Sequence, residues 1–243
     1  MAGALLLNIL GARSVGASYI EVLLPENIYP IAASREITPV YHPYREDEPF
    51  PSINALKKAK TISFGSGMTN DPKKEAHLEQ VLEQTKQPLV IDAEGLRIYA
   101  DHPEWGGKRK DLILTPHLGE FSVLTGYTVE EIRKDRVEIA VNYAREKGVI
   151  LVLKGPGTLI VSPDERVTVN NSGNEALARA GSGDVLTGMI TGLCALYPDS
   201  YQATVDAVWL HGHLADEAVK ERSKEVFDLT EYPRYADRFF FEK

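Results

Sequence analysis

The sequence predicts an α/β fold built on an open, mostly parallel sheet with helices on both faces, and three observations carry that prediction. Apolar runs without alternation, Pro88 to Ile91, Leu112 to Leu114 and Val149 to Leu153, read as strands buried on both faces. Longer stretches with helical spacing separate them, which is the alternation that βαβ units produce. These runs, and a shorter one from Thr61 to Phe64, end in loops of small or polar residues: Gly65 to Thr69, Asp92 to Gly95, Thr115 to Gly119 and Lys154 to Thr158. Ligands of an open parallel sheet gather at that edge, beyond the carboxyl ends of the strands.

With 243 residues, 43% of them hydrophobic and 26% charged, the chain is expected to form one domain over residues 1–243, since no linker, repeat or low-complexity segment divides it. A net charge of -8 argues against bulk binding to nucleic acid or an anionic membrane. An anionic small molecule would need local help from glycine loops and individual cations. The single cysteine, Cys194, excludes an intrachain disulfide and reads as a core residue. The apolar run Ala4 to Leu10 is too short to span a membrane, and with Asn8 inside it and no Lys or Arg before it, it makes a poor signal peptide. A cytoplasmic location is expected.

In chain order, Ala2 to Ala17 reads as a helix on the spacing of Leu6, Leu7, Leu10 and Val15, with Gly16 as its stop. Tyr19 to Leu24 reads as a strand. A short helix is expected near Asn27 to Ser34, then an irregular or edge segment to Pro51, then a short helix to Lys58 capped by Ser52. Asp71 and Pro72 open a helix to Thr85, as N-cap and first helical residue. Asp101 to Lys110 reads as a polar loop and Glu120 to Thr125 as a helix. Thr128, with Glu131 three residues on, forms a capping box for one long helix to Lys147, ended by Gly148. Leu159 to Val161 and Val167 to Val169 read as a hairpin return. Val185 to Leu196 and Gln202 to Glu221 read as helices, and the tail from Phe227 is aromatic and mixed.

The stretch Gly173 to Leu193 concentrates the chemistry. Ala180, Gly181, Ser182 and Gly183 form a small-residue loop whose backbone N–H groups can approach an anion, and the helix after it adds positive partial charge there. Asp184 follows at once. A carboxylate beside an anion cradle makes sense if it takes a proton from a hydroxyl while the cradle holds phosphate. Lys154, heading Gly155, Pro156, Gly157 and Thr158, suits nucleotide phosphates, or is a solvated lysine on a turn. His117 reads as a ligand contact, a proton relay or a structural residue, and Asp92 as a cation or ligand contact or a helix cap. His211 and His213, two apart on a helix, face different ways and read as structural. No zinc or P-loop pattern is present, and no protein-held metal site is predicted.

The ordered set GSG (65–67), VIDAEGL (90–96), TPHLGEFSVLTG (115–126), VLKGPGT (152–158) and GNEALARAGSGDVLTG (173–188) resembles the nucleotide-dependent NAD(P)H-hydrate dehydratase family, of the ribokinase-like superfamily. That resemblance implies a ribokinase-like domain that uses ADP or ATP with Mg²⁺ to phosphorylate the ring hydroxyl of hydrated NADH or NADPH, and then loses phosphate to restore the ring. It implies Asp184 as general base, Gly181 and Gly183 as stabilisers of the phosphoryl group, Lys154 to Thr158 with Gly183 as nucleotide contacts, and Ala4, Gly67, His117 and Asp184 as substrate contacts. The family has glycine where Thr69 stands and Asp-Ala where Glu94 and Gly95 stand, and it opens with a strand and a glycine turn before the Gly3-Ala4 match. Either the sequence begins late relative to the family pattern or the domain is naturally short of that first strand, and a missing strand would leave an open edge that favours self-association into a homo-oligomer. Two other readings are carried: a ribokinase-like kinase acting on a sugar or vitamin-precursor alcohol, and a non-catalytic nucleotide-binding or NAD(P)-binding module.

Overall fold

A computed structural model describes residues 1–45, 54–69, 71–105, 109 and 111–241. In chain order the helices are α1 (Ala2–Ser14), α2 (Tyr29–Arg35), α3 (Asn54–Lys58), α4 (Pro72–Gln84), α5 (Glu94–Ala100), α6 (Leu118–Thr125), α7 (Val129–Lys134), α8 (Arg136–Lys147), α9 (Ser182–Cys194), α10 (Ser200–Glu221) and α11 (Tyr232–Phe241). The strands are β1 (Glu21–Pro25), β2 (Val40–Tyr44), β3 (Ile62–Phe64), β4 (Leu89–Ile91), β5 (Leu112–Leu114), β6 (Ile150–Leu153), β7 (Leu159–Val161) and β8 (Val167–Val169).

Six strands form one sheet in the order β3-β4-β5-β6-β7-β8. β3 to β6 run parallel, and β7 and β8 return antiparallel as the hairpin expected from the sequence. β4, β5 and β6 are buried at every position, which is why their sequences carry no alternation. One face of this sheet packs on α9 and α10 through Val90, Ile113, Val152, Met189 and Ala207. The other packs on α4, α5 and α8 through Ile91, Leu112, Leu114, Leu78 and Ala144. Helices on both faces of a mostly parallel sheet are the architecture the sequence predicted.

Several elements depart from expectation in detail. The long helix from Thr128 is two helices, broken at Asp135, whose φ of -122° and ψ of 40° interrupt the helical path. The capping box of Thr128 and Glu131 does form, and Gly148 does end the second helix in the left-handed region. The segment before residue 45 holds a strand, β2, paired parallel with β1. Helix α5 was not anticipated, and neither was the regular helix α11 in the aromatic tail. Ser52, the expected cap of α3, lies outside the described residues.

β1 and β2 form a separate two-stranded sheet. Between it and the large sheet lies a cavity of about 680 Å³, lined by residues 19–23 along β1, residues 60–66 along β3, and Leu5, Ile9 and Ala12 of α1. The chain enters α1 directly at Ala2, as the sequence suggested. α1 is held by α9: Gly188 faces the Asn8 carbonyl so closely that no Cβ would fit, and Gly11 faces the Val185 carbonyl in the same way. No helix among the described residues is long and apolar enough to cross a membrane.

Candidate active site

The loop before α9 turns at Gly181, whose φ of 91° lies in the left-handed region, and Ser182 starts the helix. The N–H groups of the first turn have no partner within a helix, so they leave positive partial charge beside Asp184, the acid of that turn. α9 is aimed by burial: Val185, Leu186, Met189 and Ile190 sink into the core over the sheet. The Asp184 carboxyl is thereby carried to the carboxyl ends of the parallel strands.

Its surroundings set its charge. Burial pushes the Asp184 carboxyl above the usual aspartate range, and the nearby carboxylate of Asp92 pushes it further. A hydrogen bond from Ser66, the Lys154 ammonium and the Met1 amine oppose that rise. A carboxylate held above its ordinary range is a stronger proton acceptor than one in water, which is what a general base acting on a hydroxyl requires.

Lys154 leaves β6 into the glycine loop. Its backbone N–H donates to the Pro116 carbonyl at 2.8 Å, which ties it to His117 across the two strand ends. Its side chain does not follow Gly155 to Thr158. The ammonium turns back to Asp92 Oδ1 at 2.8 Å, lies 4.0 Å from Glu120 Oε2, and would stand 3.3 Å from a Cβ placed on Gly183. The loop itself is braced from α8: Arg136 donates to the Pro156 carbonyl at 3.1 Å and to the Leu153 carbonyl at 2.9 Å.

His117 is the N-cap of α6. Its Nδ1 accepts from the Glu120 N–H at 3.1 Å, and the Glu120 carboxylate accepts from the His117 N–H at 2.8 Å. That leaves Nε2 as the nitrogen with the proton, on a side chain that is 60% exposed. Cap and ligand contact are therefore compatible roles. Gly67 (φ of 73°) and Ala4 stand next to each other: the Met1 amine donates to the Gly67 carbonyl, and the Ala4 Cβ lies 3.1 Å from where a Gly67 Cβ would be.

Asp92 caps no helix, since Ala93 precedes α5; it is 2% exposed and accepts from Thr115 Oγ1 at 2.7 Å as well as from Lys154. The structure thus brings Asp184, Gly183, Lys154 and Asp92 together, with the pair Gly67 and Ala4 on the α1 side. Arg136, Ser66 and the pairing of Asp92 are the parts that reading the sequence missed. Ser66 lies inside the GSG turn and Glu120 at capping-box spacing from His117, so both had a local signal. Arg136 sits 20 residues from its loop and had none.

His211 and His213 do not share a site. His211 is buried behind Ser182 and stacked on Tyr232, and burial pulls its imidazole down to about 4. His213 stacks on Trp209. Among the described residues no group of three or more His, Cys, Asp or Glu could hold a metal ion.

A family model described as NAD(P)H-hydrate dehydratase matches residues 1–233. The chain belongs to the NAD(P)H-hydrate dehydratase family. Within it, the ADP-dependent (S)-NAD(P)H-hydrate dehydratase of Bacillus subtilis is 34% identical over 224 residues, 92% of this chain and 79% of that one. The solved structure of the B. subtilis ADP/ATP-dependent enzyme, co-crystallised with ATP and Mg²⁺, superposes with a TM-score of 0.86 at 31% identity, covering 100% of this chain and 85% of that chain. The bifunctional NAD(P)H-hydrate repair enzyme of Moorella thermoacetica is 34% identical over 98% of this chain. The chain spans about half of that longer relative, 47% of its length. A ribokinase-like superfamily protein of Enterococcus faecalis, 22% identical with a TM-score of 0.87, covers 99% of this chain and 82% of its own, and shares the fold. The family's fold is therefore ribokinase-like, as the sequence resemblance implied.

Proposed function

We propose that this chain repairs hydrated NADH or NADPH by nucleotide-dependent dehydration, with Asp184 as general base. The observation that carries the reading is the convergence on one point of a half-buried carboxylate held above its ordinary pKa, the N-terminus of α9 and the Lys154 ammonium. An acid beside a cationic anion cradle suits transfer of a phosphoryl group to a hydroxyl.

Asp184 takes the proton from the ring hydroxyl as its oxygen forms the new bond to phosphorus and the bond from that phosphorus to the nucleotide breaks. The ring C–O bond then breaks with phosphate as leaving group, far better than hydroxide, a proton is lost from the adjacent ring carbon, and the C=C bond of the ring is restored. Gly183 leaves room for the phosphoryl group against the first turn of α9, and Gly181, in its left-handed conformation, turns the backbone N–H groups of that turn toward it. Gly155 to Thr158, braced by Arg136, form the nucleotide side, and Gly67, Ala4 and the Nε2 edge of His117 form the substrate side. A nucleotide fits this edge because Gly183 has no side chain to fill the space beside the ammonium, and Mg²⁺ would neutralise the phosphates it accompanies. ADP or ATP as donor, a single working domain over residues 1–243 and a cytoplasmic setting complete the reading, and self-association belongs to it as well.

The test is a coupled assay of hydrate plus nucleotide. Return of NADH absorbance only when ADP or ATP is present supports the reading. Asp184→Asn should lower turnover by about 10²–10⁴-fold while nucleotide binding by calorimetry stays within a few-fold. Wild-type turnover in that variant would remove Asp184 as base. A stable phosphorylated alcohol as product would point to a kinase, and nucleotide binding without turnover at any pH to a binding module.

A further inference from the structure

We infer that Asp92 is a positioning residue: its buried carboxylate holds the Lys154 ammonium beside Gly183, so that this cation faces the transferring phosphoryl group and not the nucleotide loop from which it springs. The inference rests on the dehydratase reading and adds a residue to it. A lysine at the head of a glycine loop would be expected to extend with that loop. Here the ammonium turns away, and the reason is visible: Asp92, 2% exposed at the end of β4, offers Oδ1 at 2.8 Å. Asp92 is itself fixed by Thr115 Oγ1 at 2.7 Å from the neighbouring strand end. Three adjacent strand ends, those of β4, β5 and β6, therefore place one charge.

The placement matters because of what lies beside it. The ammonium is within 3.3 Å of the position a Gly183 Cβ would take, at the first turn of α9, one residue from Asp184. Cation and helix N-terminus then act on the same anion, and an offset of about 1 Å in such a pair costs on the order of 10²-fold in rate. Asp92 and Lys154 also act on Asp184 with opposite sign: the carboxylate disfavours its ionised form and the ammonium favours it. The groups that face Asp184 are Ser66 from the end of β3, Asp92 from β4, Lys154 from β6 and the Met1 amine from the start of α1. Glu120 on α6 reaches Lys154 at 4.0 Å, and His211 on α10 lies behind Ser182.

The experiment compares Asp92→Asn, Lys154→Met and Thr115→Val in the full chain. Asn keeps the shape and its amide oxygen can still accept from Thr115, but without the negative charge it holds the ammonium much more weakly. Asp92→Asn should lower kcat by about 10–100-fold with KM for ADP within about threefold, and Thr115→Val should change kcat by less than about fivefold. The acid limb of the rate profile should move to higher pH in Lys154→Met, which removes an opposite charge from Asp184, and to lower pH in Asp92→Asn, where the like charge removed outweighs the ammonium that is loosened with it. The same opposed shifts should appear in a ¹³C-aspartate NMR titration of Asp184, which needs no turnover. A purely structural Asp92 would lower melting temperature and kcat without moving the limb or the NMR titration, and that outcome, or shifts in the same direction in both variants, overturns the inference. Turnover retained in Asp184→Asn would instead overturn the base assignment. Loss of turnover there with an unmoved limb in Asp92→Asn leaves the dehydratase reading standing and removes this one.

Discussion

The two flanks of the site are built differently. On the flank of β4, β5 and β6 the strands pair without a break, every strand residue is buried, and the site groups at their ends brace each other through Thr115, Asp92, Lys154 and Arg136. On the flank of β1 and β3 the two strands do not pair with each other, a cavity of about 680 Å³ separates them, and Gly67 and Ala4 meet where α1, packed on α9 through glycines, also bonds the turn after β3 through the Met1 amine and Asn8. One flank gets its geometry from a sheet, the other from a helix seam. The first should tolerate little change in its core, and the second little change in its seam.

The largest expected effect lies on the closed flank. Ile113, 0% exposed and paired between Val90 and Ile150, should lose about 2–5 kcal/mol on substitution by Ala. Leu23, on β1 and lining the cavity, should lose less than about 1.5 kcal/mol on the same truncation, because it gives up fewer packed neighbours. Denaturant unfolding measures both, and equal losses would break the contrast.

Next comes pH. The buried His211 imidazole has been pulled from 6.5 to about 4, so the unfolded chain binds a proton that the folded one refuses. Stability present above pH 6.5 should be lost as pH falls from 6.5 towards 4, by about 3 kcal/mol from this group at an order-of-magnitude level. His211→Gln should flatten that slope in melting temperature against pH. A slope unchanged in the variant would assign the acid loss elsewhere.

The seam is tested by Gly188→Ala. A Cβ there meets the Asn8 carbonyl, so the substitution should cost about 1–3 kcal/mol and, unlike Leu23→Ala, should also weaken turnover, because α1 and Asp184 move together. Gly3→Ala, with nothing within 4 Å, should stabilise α1 by about 0.5–1 kcal/mol and serves as the control on the same helix. If Gly188→Ala lowered stability and left turnover untouched, the seam would not be what aligns the substrate side.

This difference between flanks also explains what could be read from the chain beforehand. Apolar runs such as Leu112 to Leu114 announce a central strand because burial on both faces leaves no choice of residue. The loops at their ends follow from where those runs stop, which locates Gly67 and His117, while Gly183 and Asp184 were marked by a small-residue loop opening an apolar helix. The break at Asp135 was not, since the helical spacing runs through it and only the backbone turns. β2 was hidden by Pro43 and three aromatic or imidazole side chains in a five-residue strand. The redirected Lys154 was hidden because its partner lies 62 residues away, and no local pattern states which way a lysine will turn.

The chain has a single cysteine, and it closes α9. Cys194 is 4% exposed, and burial pushes its thiol up to about 12, so in the closed molecule it barely reacts. Gly192 and Ala195 on either side of it line the cavity. A thiol reagent can then reach it only when this end of α9 opens, and the labelling rate becomes a clock for that opening. No engineered probe is needed: the protein can be timed at the end of the helix that carries Asp184, with nucleotide present or absent, by one sulfur atom it already has.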